Sequence, residues 1–148
     1  MGIYISIIAT FLVAAIVAWT GYQQHLLAKE KFKLCLFEKR FAVYKGVQIF
    51  LTHISMKAKV DMDKLFEFRR DTQDAMFLFS DDIPKYLGSI DRKALDMWSK
   101  VEEYKDLPKG QERSRLCREE THLLHELTKE LPHLKDVFAP YLKFKKWK

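Results

Sequence analysis

The pattern of apolar and polar positions changes character once along the chain. Residues 1–24 carry no charged side chain, and residues 3–19 are apolar apart from Ser6 and Thr10. At a rise of about 1.5 Å per residue, a helix over residues 3–22 is about 30 Å long, the thickness of a bilayer's hydrocarbon core. The run therefore predicts one transmembrane helix. Tyr4 lies near one end and Trp19 and Tyr22 near the other, where amphipathic rings favour the headgroup layer.

Beyond residue 24 the apolar positions recur at helical spacing. Leu34, Phe37, Phe41, Tyr44, Val47, Leu51 and Ile54 are three or four apart, and a second row, Phe32, Leu36, Val43 and Phe50, widens the same face. These rows predict a long first helix, running on from the membrane segment and packed against more than one neighbour. Residues 55–60 read as a connection. Asp61 or Asp63 is placed to cap a second helix, whose inner face is Leu65, Phe68, Thr72, Ala75, Met76 and Phe79, with Arg70 and Asp74 as an i, i+4 pair outside.

A third helix follows Ser80-Asp81-Asp82, with Pro84 in its first turn, where a missing N–H is harmless. Its stripe is Ile83, Leu87, Ile90, Ala94, Met97 or Trp98, Val101 and Tyr104. Leu107-Pro108-Lys109-Gly110 ends it, and a fourth helix runs over residues 111–131 with Leu116, Leu123, Leu124, Leu127 and Leu131 inward. Pro132 is expected to stop it, leaving one short helix around residues 134–138. No segment keeps a period of two. The fold class is all-α: one N-terminal transmembrane helix followed by a bundle of about four helices. Its parts are an anchor over 1–24, a helical bundle over 25–142 and a basic aromatic tail over 143–148.

A cleaved signal peptide is the rival reading of the first segment. It calls for a positive n-region and a small-x-small site, yet no Lys or Arg precedes Lys29 and no A-x-A follows the run. The charges also set an orientation. Lys29, Lys31 and Lys33 follow the span, which places the C-terminal bulk in the cytoplasm and the amino terminus outside.

Composition agrees with a folded chain: 148 residues with 14% aromatics, 5 Gly and 4 Pro leave room for one core after the anchor. The formal charge of +6 is concentrated in residues 29–40 and in the tail, where Lys143, Lys145, Lys146 and Lys148 flank Phe144 and Trp147. Cys35 and Cys117 show no metal or redox spacing and are expected to stay reduced in a cytoplasmic domain.

The stretches KLCLFEKRFAVYKGVQIFL, KLFEFRRDTQDAMFLFSDDIPKYL and FAPYLKF resemble a group of uncharacterised bacterial and phage-borne proteins, many with an N-terminal membrane helix. The likeness covers residues 30–98 and the final turn. It implies a shared fold and a bacterial inner membrane, and it supplies no activity and no functional residue.

Several patterns bear on chemistry. Glu119-x-x-His122 has the i, i+3 spacing of carboxylate-bridged di-iron bundles, but those need a second copy, and His122 and His125 lie off the leucine face. No G-x-S-x-G, P-loop or dinucleotide fingerprint occurs. No catalytic residue, metal or cofactor is expected, and no small-molecule substrate is evident. The tail could contact phosphates and stack bases, but lysines interleaved with Trp147 fit an anionic leaflet better. Lys143, Lys145, Lys146, Trp147 and Lys148 are thus the candidate leaflet-binding set. In the span, Gly2, Ser6, Thr10, Ala14 and Ala18 stand four apart, a small-residue ridge suited to self-association.

Together these patterns favour an anchored helical scaffold that binds the bilayer and either itself or another membrane or cytoplasmic protein. The alternatives are a membrane-active effector that oligomerises in the bilayer, a membrane-tethered nucleic-acid binder and an enzyme with an unrecognised site.

Overall fold

The computed structural model describes the backbone of residues 2–143 and the side chains of residues 11–143. Among them the chain is all-helical, with no strand. The helices are α1 (Gly2–Lys57), α2 (Met62–Thr72), the single turn α3 (Ala75–Leu78), α4 (Asp82–Lys105) and α5 (Gln111–Leu142). The chain divides into two units, Met1–Phe37 and Glu38–Lys148.

The described residues of the first unit all belong to α1. Among the described residues no helix is long and apolar enough to cross a membrane. The side chains of residues 3–10, the first eight of the predicted span, lie outside the described set. The twelve from 11 to 22 fall short of the roughly 20 a crossing requires.

The second unit is a helical bundle. Its part of α1 buries Val43, Tyr44, Val47, Phe50, Leu51 and Ile54. The predicted apolar face is therefore buried only from Val43 onward: Phe32 and Leu34 are exposed, and Phe41 retains 39% exposure. Residues 32–41 are apolar on several sides of the helix, so the rows alone did not show where the bundle begins. The helix ends at Lys57, where Ala58 turns into the left-handed region at φ 51° while its N–H still bonds to the Ile54 carbonyl at 2.8 Å.

α2 returns along α1 at close range. A Cβ on Gly46 would stand 2.9 Å from the Asp71 Cβ, and Phe50 stacks on Phe68 with centroids 4.7 Å apart. Asp61 occupies the N-cap position of α2 without a side-chain cap bond, because its carboxylate is held by Lys59 at 2.7 Å and His53 at 2.8 Å. The expected Arg70–Asp74 pair gives way to Arg70–Asp71 at 3.3 Å. α2 breaks at Gln73 and Asp74, and the reset turns Ala75 inward while Met76, expected in the core, is 65% exposed. Arg69 instead reaches α4, donating Nε to Asp91 Oδ1 at 2.6 Å and Nη2 to Oδ2 at 3.0 Å.

α4 follows its sequence stripe: Ile83, Leu87, Ile90, Ala94 and Met97 are all buried, and Pro84 sits in the first turn. α5 does not stop at Pro132. It continues through Pro132 and Pro140 to Leu142, although each proline removes a backbone donor. Leu127, Leu134 and Phe138 are at most 1% exposed. Burying Leu134 and Phe138 contributes about 1.5–3 kcal/mol each, which offsets the roughly 3 kcal/mol a mid-helix proline costs. Polar links fix the register of α4 on α5: Lys93 to Glu130 at 3.3 Å and Glu126 at 3.4 Å, Lys100 to Glu119 at 3.0 Å, and the Tyr104 hydroxyl to Glu120 at 2.6 Å.

Candidate functional site

Within the bundle, aromatic and charged groups converge where α5 ends against α1 and the α3–α4 corner. The Arg40 guanidinium stands 5.6 Å from the ring centroids of both Phe79 and Tyr141, and its Nε donates to the Leu78 carbonyl at 2.8 Å. Phe79 meets Phe138 edge-on at 5.4 Å and Tyr141 at 5.2 Å, and Phe138 meets Tyr44 at 5.6 Å. The Tyr141 hydroxyl donates to Asp82 Oδ1 at 2.7 Å. Burial lowers the Arg40 pKa from its ordinary value, and the Tyr141 hydroxyl opposes that shift. A cation between two rings is attracted to their faces, so Arg40 helps hold the end of α5 against α1. Residues from all three sequence stretches quoted above meet here.

Surface grooves indent the bundle among the described residues. One, of about 540 Å³ between α4 and α5, is lined by Asp96, Lys100, Arg118, Glu119, His122 and Leu123. Glu119 and His122 thus share a groove, a placement that spacing alone did not reveal. Glu119, however, is engaged by Lys100 at 3.0 Å and Arg115 at 2.9 Å, and the hydrogen bond from Lys100 holds its pKa below the usual carboxylate value. His122 faces solvent, 3.9 Å from Glu126. Among the described residues no group of three or more His, Cys, Asp or Glu is placed to hold a metal ion.

A second groove, of about 490 Å³, is lined by Lys109, Gly110, Arg113, Ser114, Cys117 and Arg118. Arg113 is committed to the Leu107 carbonyl at 2.9 Å and lies over the Tyr104 ring. The Tyr104 hydroxyl is pushed up to about 12, first by its hydrogen bond to Glu120 and then by burial. A third groove, about 340 Å³, has Lys39, Asp71, Asp74 and Phe77 among its walls. Cys35 is exposed and Cys117 half-buried, both as free thiols.

The residues singled out in the sequence fall largely outside the described side chains. Ala14 and Ala18 are exposed on α1, while the side chains of Gly2, Ser6 and Thr10 lie outside the described residues. Lys143 is the exposed C-cap of α5, and Lys145, Lys146, Trp147 and Lys148 also lie outside the described residues. In the first unit Phe11, Leu12, Val13, Ile16, Val17, Trp19 and Tyr22 are all more than half exposed, and the Thr20 hydroxyl donates to the Ile16 carbonyl of its own helix. No family model matches the chain, and no curated protein or solved structure matches it either.

Proposed function

We propose that the chain is a single-pass membrane-anchored helical binding module, held by residues 3–22 in a bacterial inner membrane with its bundle on the cytoplasmic side. The observation that carries this reading is the exposure of Phe11, Leu12, Val13, Ile16, Val17, Trp19 and Tyr22, with exposed Ala14 and Ala18 on the remaining side of the helix. A helix apolar all round needs an apolar surrounding, and a bilayer provides one. Residues 3–10 extend the apolar run to the length of a crossing.

Lys29, Lys31 and Lys33 beyond the span favour the cytoplasmic orientation, and the tail lysines with Trp147 fit the same anionic leaflet. The ridge Gly2, Ser6, Thr10, Ala14 and Ala18 suits pairing of two copies within the bilayer. On the bundle, Met76 and Phe77 stand side by side on α3 at 65% and 80% exposure, an apolar corner suited to a protein partner. A C-terminal alkaline phosphatase fusion tests the orientation: the reading predicts an inactive fusion, and strong activity contradicts it. Binding of the chain from residue 26 onward to anionic rather than neutral vesicles, fading with salt, tests the leaflet contact. Preference for single-stranded oligonucleotides over those vesicles would make the tail a nucleic-acid contact instead.

A further inference from the structure

The break between α2 and α3 borders a groove of about 340 Å³, walled by Lys39, Ala42 and Val43 from α1 and by Asp71, Asp74 and Phe77 from the facing segments. Because Gln73 and Asp74 leave the helix, Ala75 turns inward and Phe77 turns out, keeping 80% of its area exposed beside Met76 at 65%. A large ring left in water forgoes the free energy of burial. The recess next to it is apolar in part, through Ala42, Val43 and Leu78. Among the described residues Asp71 is paired with Arg70 at 3.3 Å, whereas Lys39 and Asp74, both exposed, have no ion-pair partner. The patch thus holds one unpaired cation, one unpaired anion, a projecting ring and an apolar recess.

A surface with these four features complements itself. Twofold pairing sets the same patch of two copies face to face, so that where residue i meets j, j also meets i. Lys39 of each copy then faces Asp74 of the other, and the two Phe77 rings stack over the recess. A partner of one charge would leave Lys39 or Asp74 against its own sign. We propose that this groove is the contact between the bundles of two copies of the chain, with Phe77 at its centre and reciprocal Lys39–Asp74 pairs at its edges. The groove and Met76 engage far fewer than the roughly 20–30 residues a side of a free-standing interface, so the contact forms between copies already concentrated on one bilayer. The pairing therefore rests on the anchored reading, and it supplies the partner of the Met76 and Phe77 corner.

Cross-linking in the membrane tests this pairing. In the full chain carrying Cys35→Ser and Cys117→Ser, Met76→Cys provides one thiol beside the groove and leaves Phe77 in place, while Arg92→Cys provides an exposed control on α4. Carbonate-washed bacterial membranes are treated with a short bis-maleimide. The pairing predicts links between copies at Met76→Cys in about tenfold greater yield than at Arg92→Cys. Lys39→Glu or Asp74→Lys alone sets like charges opposite each other and should reduce the yield to that of the control. Co-expressed, those two variants should link to each other, because the exchanged charges attract again in both reciprocal contacts. Equal yields at the two thiols, indifference to either charge change, failure of the mixed variants to link, or links to a different protein would overturn the pairing. A chain retained in the membrane but unlinked removes the pairing alone, whereas loss of the chain in the carbonate wash contradicts the anchor and the pairing with it.

Discussion

Gly46 and Asp71 are packed so closely that a single added carbon on Gly46 would stand 2.9 Å from the Asp71 Cβ. The neighbour is the base of a side chain rather than its flexible end, so one of the two helices must shift to make room. Gly46→Ala gains about 1 kcal/mol of helix propensity and meets an overpacking penalty of about 1–3 kcal/mol. The expected result is a net loss in thermal stability, larger for Gly46→Val. Adding Asp71→Gly should recover much of it, a coupling that a double-mutant cycle measures directly; additive effects would place the strain elsewhere.

Pro132 interrupts a helix that packing holds together. Pro132 is exposed, so Pro132→Ala restores a backbone donor without disturbing the core and should raise stability by up to about 3 kcal/mol. A lowered melting temperature would show that the packing of Leu134 and Phe138 depends on a bend at the proline.

Asp61 ties the α1–α2 turn through Lys59 and His53. The hydrogen bonds from Lys59 first and His53 second hold its pKa below the ordinary 3.8. A carboxylate depressed in the folded state contributes stability above its unfolded pKa and loses it as pH falls through the folded value. The wild-type chain should therefore exceed Asp61→Asn in melting temperature at about pH 6, with the gap closing below about pH 4 as the carboxylate takes up its proton. A gap unchanged down to about pH 2 would mean that the charge of Asp61 is irrelevant to the turn.

The burial difference between two phenylalanines ranks their effects. Phe138 is 0% exposed, whereas Phe41 is 39% exposed. Phe138→Ala is expected to cost about 3–5 kcal/mol, and Phe41→Ala about half as much or less. Denaturant melts of the two variants decide the ranking, and equal losses would show that Phe41 is covered to the same degree as Phe138.

How far the sequence revealed this fold depended on whether a helix has one buried face or several apolar ones. On α4 the stripe Ile83, Leu87, Ile90, Ala94 and Met97 was legible because its other faces are polar. On α1 the apolar rows ran past the bundle's edge, so Phe32, Leu34 and Phe41 looked like core. On α5 the helix-ending tendency of Pro132 conflicts with the continuing stripe Leu127, Leu131, Leu134 and Phe138, and burial of that stripe prevails. Met76 was misplaced by the break at Gln73 and Asp74, which resets the helical register. The Arg69–Asp91 fork and the Arg40 cluster were not legible, since they join residues on different helices that no spacing rule connects.

The central claim is that residues 3–22 hold the chain in a bilayer. Alkaline carbonate extraction of bacterial membranes tests it most directly, because it releases peripheral proteins and leaves spanning ones in the pellet. The full chain should remain with the membrane, and the chain from residue 25 onward should be released. Release of the full chain would contradict the anchor.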